Sequence, residues 1–174
     1  MVKRRLGRLI ERMTNVAVHE RMDDLARPAP DPALLAELTA LRGRVARLTG
    51  SVIASSDGLL IAHDLPDDIE PSGMAALTAA ELALSHRMTS TAHGGGFHEV
   101  VLRGTNGYVV IYSAGWSASL TVLSAPDVNV GRLHLESRPA ARAIAELLAG
   151  TPGRPRRTDD PPQEGGRSTE PRRP

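Results

Sequence analysis

The feature that most constrains the fold is an alanine-rich segment in the middle of the chain, residues 71–90. Pro71-Ser72 marks its start, and apolar residues then recur on two sides of a predicted helix. Glu81 and Arg87 are almost its only charges. One side carries the larger apolar residues, Met74, Leu77, Leu84 and Met88. The other side carries the small ones, Ala75, Ala76, Ala79, Ala80 and Ala83.

Both sides of this helix therefore look buried, and a small domain can cover only one of them with its own sheet. Small side chains allow a close approach between helices, so the alanine side predicts a partner helix, such as the same helix of a second subunit. The alternative is that alanine is abundant here only because it is a good helix former in a GC-rich proteome.

A helix and a pair of strands are predicted before this segment. Asp31-Pro32 has the pattern of an N-cap followed by proline at the first helical position. We expect this helix to end at Gly50, and it has one apolar stripe, formed by Leu34, Leu38, Leu41, Val45 and Leu48. Residues 51–56 and 59–62 then read as antiparallel strands joined by a type I′ turn at Asp57-Gly58.

Three strands and a final helix are predicted after it. The strands cover residues 97–105, 108–113 and 119–124, with a two-residue turn at Asn106-Gly107. A helix follows Asp127, and its apolar stripe keeps phase past Pro139, which predicts a kink rather than an end. The stripe consists of Val130, Leu133, Ala141, Ile144 and Leu148.

The predicted order is α-β-β-α-β-β-β-α, and the connections are too short for parallel crossovers. The sequence therefore predicts an α/β (α+β) domain with a five-stranded antiparallel sheet flanked by helices, spanning residues 31–150. Residues 151–174 contain no apolar side chain and are rich in Pro, Gly and charge, so they are predicted to be a disordered tail.

Residues 1–30 form a separate basic segment. Apolar residues recur at helical spacing beside Lys3 and four arginines, a pattern typical of a basic amphipathic helix. They are Leu6, Leu9, Ile10, Met13 and Val16-Ala17. Such a helix either contacts an anionic membrane surface or packs on a protein, including its own domain. Residues 26–30 read as a linker.

The amino-acid composition excludes several classes of function. The 174 residues include no Cys, which excludes disulfides, thiolate metal sites and a cysteine nucleophile. Only four residues are aromatic, so the chain offers few side chains on which nucleic-acid bases could stack, and we expect no nucleic-acid partner. No segment approaches the ~20 apolar residues of a membrane span. We expect a cytoplasmic protein, with peripheral contact at the inner face of the membrane through residues 1–30.

Catalytic and metal motifs are weak. His93-Gly-Gly-Gly96 resembles an esterase oxyanion loop, but no Gly-x-Ser-x-Gly nucleophile elbow accompanies it. No phosphate-binding loop ending in Gly-Lys-Ser/Thr is present, so the chain is not expected to hydrolyse GTP itself. His93 and His98 do not have a convincing metal-ligand spacing. We expect no enzyme activity, catalytic residue, metal or cofactor.

The order and spacing of several segments resemble the roadblock/LC7 family, over about residues 33–149. They are similar above all to its MglB-like bacterial members and to those of actinobacterial conservon operons. The segments are Val52-Ile-Ala-Ser-Ser-Asp-Gly-Leu-Leu-Ile-Ala62, Gly94-Gly-Gly96, Glu99-Val-Val-Leu102, Gly107-Tyr-Val-Val-Ile111 and Ser119-Leu-Thr-Val-Leu-Ser-Ala-Pro-Asp127.

The resemblance implies a profilin-like architecture and a homodimer in which residues 72–90 of two copies pack together and residues 97–104 pair edge to edge. It also implies binding to a Ras-like small GTPase, as activator or scaffold, or to a signalling assembly such as a sensor kinase complex. The expected dimer and partner interface consists of Met74, Ala76, Leu77, Ala79, Ala80, Glu81, Ala83, Leu84, Arg87, Met88, Phe97, Glu99, Val101 and Arg103.

The functional hypothesis is therefore a homodimeric, non-catalytic regulator or scaffold of a Ras-like GTPase. Arg87 or Arg103 could serve as an arginine finger, although we favour activation through reshaping of the GTPase's own switch loops. The alternatives are a small-molecule-sensing module and a purely structural dimerisation module.

Overall fold

The computed structural model describes residues 29–94 and 96–150. Its elements follow the predicted order, and three helices flank one sheet. They are α1 (Pro32–Arg44), β1 (Leu48–Ser55), β2 (Leu60–Asp64), α2 (Pro71–Ala92), β3 (Glu99–Gly104), β4 (Gly107–Ser113), β5 (Ala118–Ser124) and α3 (Val130–Gly150). The predictions for residues 1–28 and 151–174 lie outside the described residues.

The sheet has five strands in the order β2-β1-β5-β4-β3, and all neighbouring pairs are antiparallel. The predicted hairpin of β1 and β2 and the predicted meander of β3, β4 and β5 are both confirmed. Pairing of β1 with β5 joins them, since Leu48 lies opposite Ser124 and Ser55 opposite Ala118. As a result β2 and β3 are the two edges of the sheet.

One face of the sheet is covered by α1 and α3, and the main core lies between these helices and the strands. The carbonyl of Arg44 at the end of α1 accepts a hydrogen bond from Arg132 at 3.1 Å, and the Arg44 guanidinium lies 3.3 Å from Glu136. The largest fully buried core side chains include Leu38, Leu41, Ile53, Tyr112, Leu120, Leu133 and Ile144.

The opposite face is covered by α2, which packs mainly on β1 and β2 through a much smaller cluster. Ala75 is completely buried against Val52 and Ala54. Further along the helix, the hydroxyl groups of Thr78 and Thr121 lie 2.8 Å apart, and both residues are buried. The fully buried α2 residues in this contact are therefore small, and one of them belongs to a buried hydroxyl pair.

The predicted end of the first helix is wrong. The helix starts as predicted, with the Asp31 carboxylate accepting a hydrogen bond from the amide of Ala33, but it ends at Arg44. The chain reverses at Arg47, which adopts a positive φ of 72°, and Leu48 already belongs to β1. Val45 and Leu48 are buried, so the apolar stripe identified core residues correctly but assigned these two to the wrong element.

The predicted hairpin turns also differ in detail. Gly58 has a φ of 86°, whereas Asp57 does not have a positive φ, so this is not a type I′ turn. Instead the amide of Gly58 donates to the carbonyl of Ser55, which gives a three-residue loop ending in a left-handed glycine. In the other hairpin Gly104 pairs with Gly107, so the two turn residues are 105–106 rather than Asn106-Gly107.

The last helix is continuous through Pro139, which confirms that proline does not end it. Leu133 and Ile144, two members of the predicted stripe, are completely buried. Ser137, Ala140 and Ala141 complete the buried side. Since the proline lies on the exposed side, the helix keeps its core contacts on both sides of it.

Candidate interaction surface

The most distinctive surface is the outward side of α2, called here the outer face of α2. Its apolar residues are far from covered: Leu77 is 67 % exposed, Leu84 56 % and Met88 64 %. The face consists of Ala76, Leu77, Ala80, Ala83, Leu84, Arg87 and Met88, all exposed. Large exposed apolar side chains grouped on one helix face are typical of an interaction site.

The outer face carries large and small apolar residues together, which corrects the predicted division of α2 into two apolar sides. Buried positions on the sheet side are Ala75, Thr78 and Ser85. Two of these are polar, so an apolar pattern alone could not identify them. Their small size brings the helix close to the sheet, and the larger Leu77 and Leu84 are left pointing outward.

The edge strand β3 is a second open surface. Val101 is 42 % exposed and Leu102 40 % exposed, and no strand pairs with the outer edge of β3 within the described residues. An edge strand with exposed apolar side chains and free backbone groups is a template for pairing with another strand.

Two charged residues of β3 make contacts within the chain. Arg138 donates to both carboxylate oxygens of Glu99, at 2.6 and 2.8 Å, and His134 lies 3.6 Å away. The hydrogen bond from Arg138 lowers the pKa of Glu99 below its ordinary value, although partial burial acts in the opposite direction. The ion pair between Glu99 and Arg138 therefore connects β3 to α3. The Arg103 guanidinium lies 5.7 Å from the ring centre of Tyr108.

The other predicted interface residues are less exposed. Met74 packs on the inner side of α2, in the cluster that contains Leu60 and Leu65. Ala79 is half-buried, and so is Glu81, which accepts a hydrogen bond from the Ser85 hydroxyl at 3.1 Å. Phe97 is half-buried just before β3. The structure thus brings the exposed α2 residues together and places Val101 and Arg103 on the sheet edge.

Three apolar residues that are more than half exposed were not among the predicted site residues. Trp116 is 96 % exposed in the loop between β4 and β5, and Leu59 is 62 % exposed in the loop between β1 and β2. Leu135, on α3, is 70 % exposed. Trp116 follows Gly115 in a turn between two strands, and this position does not by itself indicate whether the side chain is exposed.

A depression of about 630 Å³ lies at the β3–β4 turn. It is open to solvent, and Arg103 is the only charged residue that lines it. No three His, Asp or Glu side chains within residues 29–94 and 96–150 are grouped so that they could hold a metal ion. The helices of the same part of the chain are too short or too polar to cross a membrane.

These features, an antiparallel sheet with one open edge and a central helix with an open apolar face, are typical of a domain that binds other proteins. The model of the Roadblock/LC7 domain matches residues 34–124. The chain belongs to the roadblock/LC7 family, as the segments quoted above indicated.

Curated relatives include two proteins of Methanocaldococcus jannaschii that carry the name "uncharacterized protein". MJ0714 is 28 % identical over 99 residues, which is 57 % of this chain and 83 % of the relative. MJ1340 is 27 % identical over 115 residues, which is 66 % of this chain and 96 % of the relative. The names of these relatives say nothing about a partner.

Solved structures with the same fold include a roadblock/LC7 domain from Streptomyces avermitilis, with a TM-score of 0.62 and 23 % identity. It matches 66 % of this chain and 96 % of its own. The gliding protein MglB from Thermus thermophilus has a TM-score of 0.65 and 19 % identity, with 72 % of this chain and 95 % of MglB covered. A further MglB structure is described as a tetrameric arrangement and has a TM-score of 0.65 at 20 % identity, covering 71 % of this chain and 93 % of its own.

Proposed function

We propose that this protein is a homodimeric, non-catalytic regulator or scaffold of a Ras-like small GTPase. The observation that carries the proposal is the outer face of α2, on which Leu77, Leu84 and Met88 are each more than half exposed in a single chain. Burial of these three side chains against a partner would be favourable, because it removes apolar surface from water. A second copy of the same helix would cover them.

The shape of the face supports a helix partner. Ala76, Ala80 and Ala83 lie among the larger residues and leave grooves into which the side chains of a second helix can fit. A specific interface covers about 800 Å² on each partner, more than one helix face supplies. The open edge of β3 provides the remainder in this proposal, because strands of two copies can pair there and continue the sheet.

The GTPase part of the proposal comes from the family. The roadblock/LC7 resemblance implies a Ras-like partner, and the chain lacks a phosphate-binding loop, so the nucleotide would be held by that partner. The outer face of α2 also carries Arg87 beside its apolar residues. We infer that Arg87, near the C-terminal end of α2, lies at the border of the dimer interface and contributes to GTPase docking. Hydrolysis, if it is stimulated, is stimulated through the switch loops of the GTPase itself.

The proposal places the protein in the cytoplasm, where a sensor kinase complex is a further candidate partner. A purely structural dimerisation module predicts the same dimer but no GTPase binding. A small-molecule sensor predicts a ligand pocket, and the open depression at the β3–β4 turn, with one charged lining residue, does not favour it.

Substitution of Leu84 by glutamate tests the dimer. Complete burial of a leucine side chain contributes about 1.5–3 kcal/mol. Leu84 is 56 % exposed, so burying its exposed part in a dimer contributes about 1–1.5 kcal/mol per copy to the free energy of dimerisation. Two copies lose about 2–3 kcal/mol, which weakens dimerisation at least about 30-fold. Sedimentation equilibrium over a concentration series measures this change.

The matched control is Leu135→Glu. Leu135 is 70 % exposed on α3, outside the proposed interface, and receives the same change of side chain and charge. Its dimer dissociation constant should equal that of the wild type. If Leu84→Glu dimerises as tightly as Leu135→Glu, the outer face of α2 is not the interface.

A second experiment tests the GTPase. A Ras-like GTPase encoded in the same genome is purified with bound GTP or GDP and mixed with the wild-type chain or with Arg87→Ala. We expect binding to the wild type and weaker binding to Arg87→Ala, with the same maximal hydrolysis rate at saturating concentrations. A lower maximal rate with Arg87→Ala would instead make Arg87 an arginine finger, and failure of the wild type to bind any such GTPase contradicts this part of the proposal.

A further inference from the structure

We infer that Trp116 and Leu59 form a docking site for the chain's own N-terminal segment, residues 6–18. Trp116 is 96 % exposed and Leu59 62 % exposed, and neither belongs to the outer face of α2 or to the open edge of β3. Trp116 is the only tryptophan in the chain. Tryptophan is strongly enriched among the residues that dominate binding at interfaces, and its burial removes about 150–250 Å² from water.

The two residues lie at the same end of the sheet. The amide of Ser56 donates to the carbonyl of Ser117 at 2.9 Å, so the β1–β2 loop that holds Leu59 contacts the β4–β5 loop that holds Trp116. This site, called here the loop end of the sheet, also contacts α3. A Cβ on Gly115 would lie 3.3 Å from Cβ of Ala145, so the β4–β5 loop rests against the second half of α3.

Both terminal segments of the chain leave the domain at this same end. Leu48 pairs with Ser124, so α1 ends and α3 begins at the opposite end of the sheet. The two helices pack antiparallel on one face, and α1, with 13 residues, spans about 20 Å. The first residue of α1 and the last turns of α3 therefore lie toward the loop end of the sheet.

Of the two segments, only the N-terminal one has the chemistry to cover an aromatic and a leucine side chain. Residues 151–174 contain no apolar side chain. The N-terminal segment carries an apolar stripe between residues 6 and 17, which includes Leu9 and Met13. Residues 19–28 connect this stripe to α1, and ten extended residues can span about 33–36 Å, so the connection is long enough.

Quenching of the Trp116 fluorescence by acrylamide tests this site in the full-length protein, because a single tryptophan reports on this position alone. Docking predicts quenching several-fold weaker than that of free N-acetyltryptophanamide, independent of protein concentration. The double variant Leu9→Asp, Met13→Asp should bring quenching close to that of the free compound. Circular dichroism should show an unchanged melting temperature for the domain.

The control is the double variant Arg8→Gln, Arg12→Gln, which changes the net charge by the same amount but leaves the apolar stripe intact. Acrylamide should quench the Trp116 fluorescence of this variant as weakly as that of the wild type. Wild-type Trp116 that quenches like the free compound overturns the inference, as does shielding that survives Leu9→Asp, Met13→Asp. Shielding that increases with protein concentration assigns the site to a second copy, and shielding that requires anionic phospholipid vesicles assigns it to a membrane, so either result also overturns it.

Discussion

The buried hydroxyl pair of Thr78 and Thr121 provides a quantitative test of how α2 is attached to the sheet. Thr78 is 2 % exposed, Thr121 is not exposed at all, and the two oxygens lie 2.8 Å apart. Replacing Thr121 by valine keeps the shape but leaves the Thr78 hydroxyl buried without this partner. A buried polar group that loses its partner costs about 1–3 kcal/mol.

The double variant Thr78→Val, Thr121→Val removes both hydroxyls and leaves neither one unpaired. Replacement of both partners by apolar groups of the same shape is nearly neutral, so the double variant should be more stable than either single variant. Because each single substitution costs about 1–3 kcal/mol and the double variant is nearly neutral, the interaction free energy from this double-mutant cycle should be at least about 2 kcal/mol in magnitude. Valine and threonine have similar helix propensities, so the backbone of α2 contributes little to the difference.

Urea unfolding followed by circular dichroism measures the four free energies of unfolding. All four proteins are compared at one concentration, because the proposed dimerisation would make apparent stability depend on concentration. The reasoning is refuted if the costs of the two single substitutions simply add in the double variant. In that case the two hydroxyls do not depend on each other, and α2 is held by its apolar contacts alone.

Two further predictions concern the sheet edge and the β3–β4 turn. Because Arg138 lowers the pKa of Glu99, the ion pair stabilises the fold above the ordinary carboxyl pKa of 4.5, and this contribution is lost as the pH falls through the lower folded-state value. The stability advantage of the wild type over Glu99→Gln, measured by urea unfolding from pH 7 to pH 2, should therefore disappear at the acid end; an advantage that is constant with pH contradicts this. Gly107→Ala should destabilise by about 1–3 kcal/mol or more, since its Cβ would lie 2.1 Å from a backbone carbonyl oxygen. Gly43→Ala, in α1 with no atom within 4 Å of the added carbon, should stabilise by up to about 1 kcal/mol when both glycine variants are compared by urea unfolding at pH 7. Equal effects at both glycines would refute the steric argument.

The sequence was sufficient to predict the order of the elements and the antiparallel sheet. Alternating strands, glycine-containing turns and helical stripes are local patterns, and each depends on a few neighbouring residues. The end of α1 could not be predicted in the same way. Val45 and Leu48 continue the apolar stripe of the helix, and only the tertiary structure, in which Leu48 pairs with Ser124, makes Leu48 part of a strand.

The composition of the α2 surface was predicted only in part. Ala76, Ala80 and Ala83 were expected to face a partner, and they are exposed in a single chain. Leu77 and Leu84, on the supposedly opposite side, are exposed on the same face. The buried side of the helix could not be identified from apolar periodicity, because its contact with β5 is made by polar residues, as the Thr78 hydroxyl shows.

The docking site at Trp116 was missed for a different reason. Nothing in its local pattern distinguishes a tryptophan in a turn that is packed inward from one that is exposed. Its exposure depends on the approach of Gly115 to α3 and on the hydrogen bond between the two loops, and both contacts join residues distant in sequence.

Cysteine cross-linking tests the central claim, that the outer face of α2 contacts a second copy of the chain, most directly. The chain has no Cys, so each introduced thiol is unique. Ala76→Cys, Ala80→Cys and Ala83→Cys are compared with Leu135→Cys after mild oxidation, on a non-reducing gel. We expect at least one of the three α2 variants to form a covalent dimer of about twice the 18.5 kDa chain mass at micromolar concentration, while Leu135→Cys remains a single chain. If none of the three forms more dimer than Leu135→Cys, the outer face of α2 does not meet its counterpart.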